Sequence, residues 1–204
     1  MPGHLFLQGE IGCGKSSLIR EALLPYLDKV GGFFVQRVFV AGRYAAFKLT
    51  PLTTAKEYNV DLHVDNIQGL DNLFLYCDNN NKWQIDLQVF AKSGVACLQQ
   101  SKIASKKLVL MDELGGVEFA CLPFLKAVWE VLNGPIPALG VLKLPRNLDK
   151  LKKELAEQPE NEAGGIYSLQ AFKQHPKVEL ITVNAENYDR IKAKVKEFVE
   201  DIML

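Results

Sequence analysis

Eight residues near the start of the chain, Gly9-Glu10-Ile11-Gly12-Cys13-Gly14-Lys15-Ser16, set three glycines ahead of an adjacent lysine and serine. The spacing fits G-x4-G-K-[ST], a loop that holds phosphate. Glycine tolerates positive φ, so the backbone can turn its N–H groups inward around an anion. The helix expected to follow adds the partial positive charge of its N-terminus. Lys15 supplies a point charge for the β- and γ-phosphates, and the Ser16 hydroxyl is placed to ligate Mg²⁺. With Ser17 beside it, the run from Gly9 to Ser17 is the expected nucleotide-binding segment. The pattern arises by chance in roughly one chain of this length in a hundred, and here it also stands between an apolar strand and a helix. Cys13 reads as a small residue at a variable position in preference to a low-pKa thiol at a helix N-terminus.

Hydrolysis needs a second anchor for the metal and a group that orients water. Leu108-Val109-Leu110-Met111-Asp112-Glu113 offers both at the end of an apolar strand. Asp112 is the expected Mg²⁺ partner, through a water, and Glu113 the general base for attack on the γ-phosphate. Glu118 either extends this acidic group or serves as a charge at a helix N-terminus. Arg37, Arg43 and Arg146 are candidates to neutralise the γ-phosphate, against the plainer reading of exposed surface arginines. Arg146-Asn147 is preferred among them because it follows a strand end, where α/β sheets place their ligand loops.

These groups require a scaffold of alternating strands and helices. Leu5-Phe6-Leu7 predicts a buried strand, and Leu18, Ile19, Ala22, Leu23 and Leu27 recur at helical spacing after the loop. Gly31-Gly32 is read as a break before two β-rich runs, Phe33 to Val40 and Tyr44 to Leu49, that flank Ala41-Gly42-Arg43 as a hairpin. Residues 51–84 give one apolar run, Leu73 to Cys77, and a turn at Asn79-Asn80-Asn81. Helices are predicted over Val89 to Ile103, Phe124 to Leu132, Leu148 to Ala156 and Glu186 to Ile202, and strands over Ile136 to Leu142 and Val178 to Val183. Apolar runs without polar interruption indicate a parallel sheet covered on both faces. His4, His63 and His175 read as isolated, and Trp83 and Trp129 as packing residues.

The 204 residues fit a single domain, with 33–85 as a hairpin or insertion region. Lys plus Arg and Asp plus Glu are both 24, and zero net charge lacks the basic excess that holds a protein to nucleic acid or an anionic membrane. The four cysteines occur singly, which argues against a zinc site or disulfide framework and for a reducing, cytoplasmic setting. No run reaches the ~18 apolar residues of a membrane span, and the first residues lack signal-peptide character.

The block Asp112-Glu113-Leu114-Gly115-Gly116-Val117-Glu118 resembles the Asp-Glu-Ile-Gly-x-Met-Glu hallmark of the small P-loop nucleoside-triphosphatases related to the cancer-related nucleoside-triphosphatase. Phe124, Val128 and Pro137-Ala138-Leu139-Gly140-Val141-Leu142 fit the same family, as do Gly32-Phe33-Phe34, Gly42-Arg43 with Phe47, and Val183 to Asp189. The resemblance implies a three-layer α/β fold of the RecA-like P-loop kind, mostly parallel in its central sheet, with a β-hairpin addition. It also implies slow hydrolysis of ATP, GTP and other nucleoside triphosphates to the diphosphate. The chain departs from the family at Val35, Arg37 and Phe39, where Thr, Glu and Arg are usual, and at Asn187-Tyr188 in place of Asn-Arg. Two rival readings stay open: a small-molecule kinase, for which 146–165 makes an arginine-poor lid, and a nucleotide-dependent switch or assembly factor with its partner surface on the hairpin 33–49 and the segment 51–84.

Overall fold

A computed structural model describes residues 3–52, 57–78, 80–103, 106–144 and 167–204. The predicted helix over Leu148 to Ala156 lies outside them. Strand β1 (His4–Gln8) enters the phosphate loop, and helix α1 (Lys15–Leu23) leaves it. A long strand β2 (Val30–Val40) turns into β3 (Arg43–Pro51), and the short strands β4 (Asp61–Val64), β5 (Leu73–Cys77) and β6 (Trp83–Ile85) follow. A π-turn at Phe90–Gly94 runs into α2 (Val95–Ile103), and β7 (Leu108–Leu114), α3 (Leu122–Asn133) and β8 (Ala138–Leu142) come next. The five-residue helix α4 (Leu169–Lys173), β9 (Val178–Thr182) and α5 (Tyr188–Met203) close the described chain.

Among the described residues the strands form one sheet in the order β6-β5-β3-β2-β7-β8-β1-β9, with β4 also paired to β2. The run β2-β7-β8-β1-β9 is parallel throughout, and β3, β5 and β6 extend it by antiparallel pairing. The fold is thus mixed α/β and mostly parallel at its centre. Strand period sorts the core into two halves. Phe6, Val109 and Met111 point to one face, where Leu98 of α2, Phe124 and Val128 of α3 and Phe172 of α4 cover them. Leu5, Leu7, Leu108, Leu110 and Leu139 point to the other, under Leu18 and Ile19 of α1 and Val195 and Val199 of α5. Each such fully buried side chain contributes roughly 1.5–3 kcal/mol, which explains why the central strands read as unbroken apolar runs.

The Gly31-Gly32 pair does not break the chain, contrary to the sequence expectation; it lies inside β2. Gly32 has φ +90°, and a Cβ there would lie 2.0 Å from the Leu110 carbonyl oxygen. Only glycine allows β2 to approach β7 this closely. The hairpin is as expected, with Ala41 and Gly42 both at positive φ, the signature of a tight two-residue turn. His4 is not isolated: the Ala138 N–H donates to its Nδ1, and its Nε2 bonds the Leu132 carbonyl, stitching β1 to β8 and α3. No helix among the described residues is long and apolar enough to cross a membrane.

Candidate functional site

The phosphate loop forms at the carboxyl end of β1, where a parallel sheet opens its ligand crevice. Gly14, the N-cap of α1, has φ +88°, and a Cβ there would lie 2.7 Å from the Tyr188 ring, so the loop is pinned against α5. With no side chain at its N-cap, the first turn of α1 keeps its N–H groups free for an anion. Lys15 Nζ lies 3.0 Å from the Gly9 carbonyl oxygen and 2.7 Å from that of Glu10, and it also donates to Cys13 Sγ. Cys13 therefore supports the lysine. Gly9, Glu10, Ile11, Gly12, Lys15, Ser16 and Ser17 line a cavity of about 640 Å³.

The acidic pair faces the same cavity because β7 is irregular there. Met111 pairs with Gly140 and Leu114 with Leu142, so three steps on β7 match two on β8. The extra residue makes a bulge, which re-aims side chains that would otherwise alternate across the sheet. Glu113 sits in it at φ +74°, a conformation that costs a non-glycine residue about 1–3 kcal/mol and that clusters at functional sites. Both Asp112 and Glu113 consequently line the cavity. Ser16 Oγ donates to Asp112 Oδ1 at 3.1 Å, joining the two motifs across the sheet.

Two partners escape the sequence reading. Tyr58, buried just before β4, donates to Asp112 Oδ2 at 2.6 Å. Asp112 is itself buried, and that burial, with the neighbouring charge of Glu113, raises its pKa to about 6. Lys143, the residue after β8, places Nζ 3.0 Å from Glu113 Oε2. Burial opposes its charge, but Glu113, Glu118 and Asp112 outweigh that and raise its pKa. The strand-end rule that singled out Arg146 points first to Lys143, which sits at the carboxyl end of β8. Tyr58 had no such signal, because its surroundings carry no periodicity.

Glu118 stands in the first turn of the short helix Val117–Ala120, the helix N-terminal place that was one of its two expected roles. It is buried, and its Oε1 accepts from the Gly115 and Gly116 N–H groups at 2.5 and 2.7 Å, which fixes the loop leaving the bulge. Arg37 reaches the cavity, but its guanidinium makes a two-pronged bond to Asp61 at 2.7 and 3.0 Å, tying β2 to β4. Arg43 is exposed at the start of β3 beside the hairpin turn. Arg146 and Asn147 lie outside the described residues. Trp129 packs edge-on against Phe172, as a packing residue should. Trp83 packs against Phe47 of the hairpin strand β3 and also stands half-exposed at the cavity. Asn184 exchanges hydrogen bonds with Asn187, which orders the turn before α5.

Residues 4–196 match the family described as NTPase. The chain belongs to that NTPase family. The nucleoside-triphosphatase THEP1 of Thermococcus kodakarensis is 27% identical over 147 residues, which span 68% of this chain and 75% of that protein. The cancer-related nucleoside-triphosphatase homolog of Mus musculus is 26% identical over 165 residues, 72% of this chain and 78% of its own length. The crystal structure of THEP1 from the hyperthermophile Aquifex aeolicus matches with a TM-score of 0.63 at 19% identity, covering 97% of this chain and 99% of that one, a likeness of fold. Family membership makes the chain a divergent nucleoside-triphosphatase, an enzyme that cleaves nucleoside triphosphates.

Proposed function

We propose that the chain is an Mg²⁺-dependent nucleoside-triphosphate hydrolase that converts ATP, GTP and related triphosphates to the diphosphate and phosphate. The observation that carries this reading is the Ser16–Asp112 hydrogen bond beside Glu113, within one cavity that also holds Lys15. A hydroxyl and a buried carboxylate are hard oxygen donors, the type that suits Mg²⁺. The raised pKa of Asp112 marks a buried charge that its two hydrogen bonds compensate only in part, and a divalent cation would satisfy it. Bound there, the ion supplies charge neutralisation at the β- and γ-phosphate oxygens.

The chain's own residues do the rest. The loop N–H groups and Lys15 bind and orient the phosphates. Glu113 accepts the proton of the attacking water, and Lys143 fixes the direction of its carboxylate while adding a second positive charge to the cavity. Tyr58 holds the Asp112 carboxylate in place from behind. In calorimetric titration, Lys15→Ala is expected to weaken nucleoside-triphosphate binding by at least tenfold and to abolish phosphate release. Unchanged binding and turnover in that variant would remove the phosphate loop from the reaction.

A further inference from the structure

The cavity extends beyond the phosphate site. Past Glu113 it reaches a wall supplied by the inserted strands, with Val35 and Arg37 from β2, Tyr44 and Phe47 from β3, and Trp83 from β6. Tyr44 is 52% exposed and Trp83 46%, a large aromatic surface left open to a cavity. The Tyr44 and Phe47 rings lie within 7° of parallel, and Trp83 leans against Phe47 with ring centroids 6.4 Å apart. Polar groups border this surface: the Arg37 guanidinium steadied by Asp61, and the Glu113–Lys143 pair. The near-parallel Tyr44 and Phe47 rings, with Trp83 tilted beside them, favour a flat ring, and polar groups at their edge favour its hydroxyl or phosphate substituents.

The sheet order decides which ring this is. The phosphate loop sits on β1, the acidic pair two strands away on β7, and the wall further out on β2, β3 and β6. Ser16 and Asp112 would hold a metal that neutralises the terminal phosphates, which would direct the terminal phosphate toward β7 and the wall, and the nucleoside of the triphosphate toward the opposite end of the loop. We infer that the wall binds a second ligand of the nucleoside class, held beside the γ-phosphate while the nucleoside triphosphate occupies the loop. This rests on the placement of the triphosphate proposed above.

The chain has two tryptophans, so Trp129→Phe leaves Trp83 as the reporter. The protein is first saturated with β,γ-imido ATP and Mg²⁺, with analogue binding followed by calorimetry, and then titrated with adenosine and with guanosine. Saturable quenching of Trp83 by at least one nucleoside is expected, with the analogue still bound. Tyr44→Ala should raise the midpoint about tenfold, the loss typical of one stacked ring. Calorimetric titration of the analogue-loaded unsubstituted protein with the same nucleosides gives the answer without the Trp129 change. Absence of binding by both nucleosides, or displacement of the analogue by them, overturns the inference. Failure of the analogue itself to bind counts against the phosphate-loop reading separately.

Discussion

The Asp112 carboxyl is enclosed between the Ser16 and Tyr58 hydroxyls, and its pKa of about 6 stands above the ~3.9 of an unfolded aspartate. The folded state therefore holds that proton more tightly than the unfolded chain. The resulting stability is fully present below about pH 4 and is lost as pH rises through about 6, a difference of roughly 3 kcal/mol at neutral pH. In chelator-treated protein at neutral pH, Asp112→Asn is expected to raise stability by on the order of 2 kcal/mol, seen as a thermal midpoint several degrees higher. The gain should vanish near pH 4, and Mg²⁺-dependent turnover should collapse. A lower midpoint at neutral pH would contradict the buried-charge account. Tyr58→Phe removes the outer hydrogen bond only, so the Mg²⁺ concentration for half-maximal activity should rise about tenfold or more with little change at saturating metal. The loop and the acidic pair were legible because their chemistry is written in adjacent residues. Tyr58 was not, since it meets Asp112 across 54 positions through tertiary packing alone.

The elements that position these residues were legible where burial is continuous. The strand Leu108–Met111 and the helix around Phe124–Leu132 followed from runs and periods that the two-sided core imposes. The sequence misled at Gly31-Gly32, because a glycine pair signals a turn by propensity and a close strand approach by packing, and only the partner strand decides between them. β4 and β6 were hidden because they are short and half-exposed. The bulge that turns Asp112 and Glu113 together leaves no trace in residue type. Gly32→Ala should force both a strained φ and a clash with the Leu110 backbone, lowering stability by at least about 3 kcal/mol. A thermal midpoint roughly 10 °C lower would register it. A midpoint within a degree of the parent would mean that β2 and β7 do not approach so closely.

Across the whole molecule, the parallel centre of the sheet carries three separate contributions to one cavity: the loop after β1, the bulged end of β7 and the lysine after β8. Strands β2, β3 and β6 add an aromatic side to it. In the proposed mechanism phosphate binding and water activation are separable, the first resting on Lys15 and the loop and the second on Glu113. The most direct measurement compares the two in Glu113→Gln, a change that keeps size and removes the proton acceptor. Calorimetric affinity for β,γ-imido ATP with Mg²⁺ is expected to stay within a few-fold of the parent, while phosphate release from ATP falls by about a hundredfold or more. Parental rates of phosphate release in Glu113→Gln would contradict the assignment of Glu113 as the base.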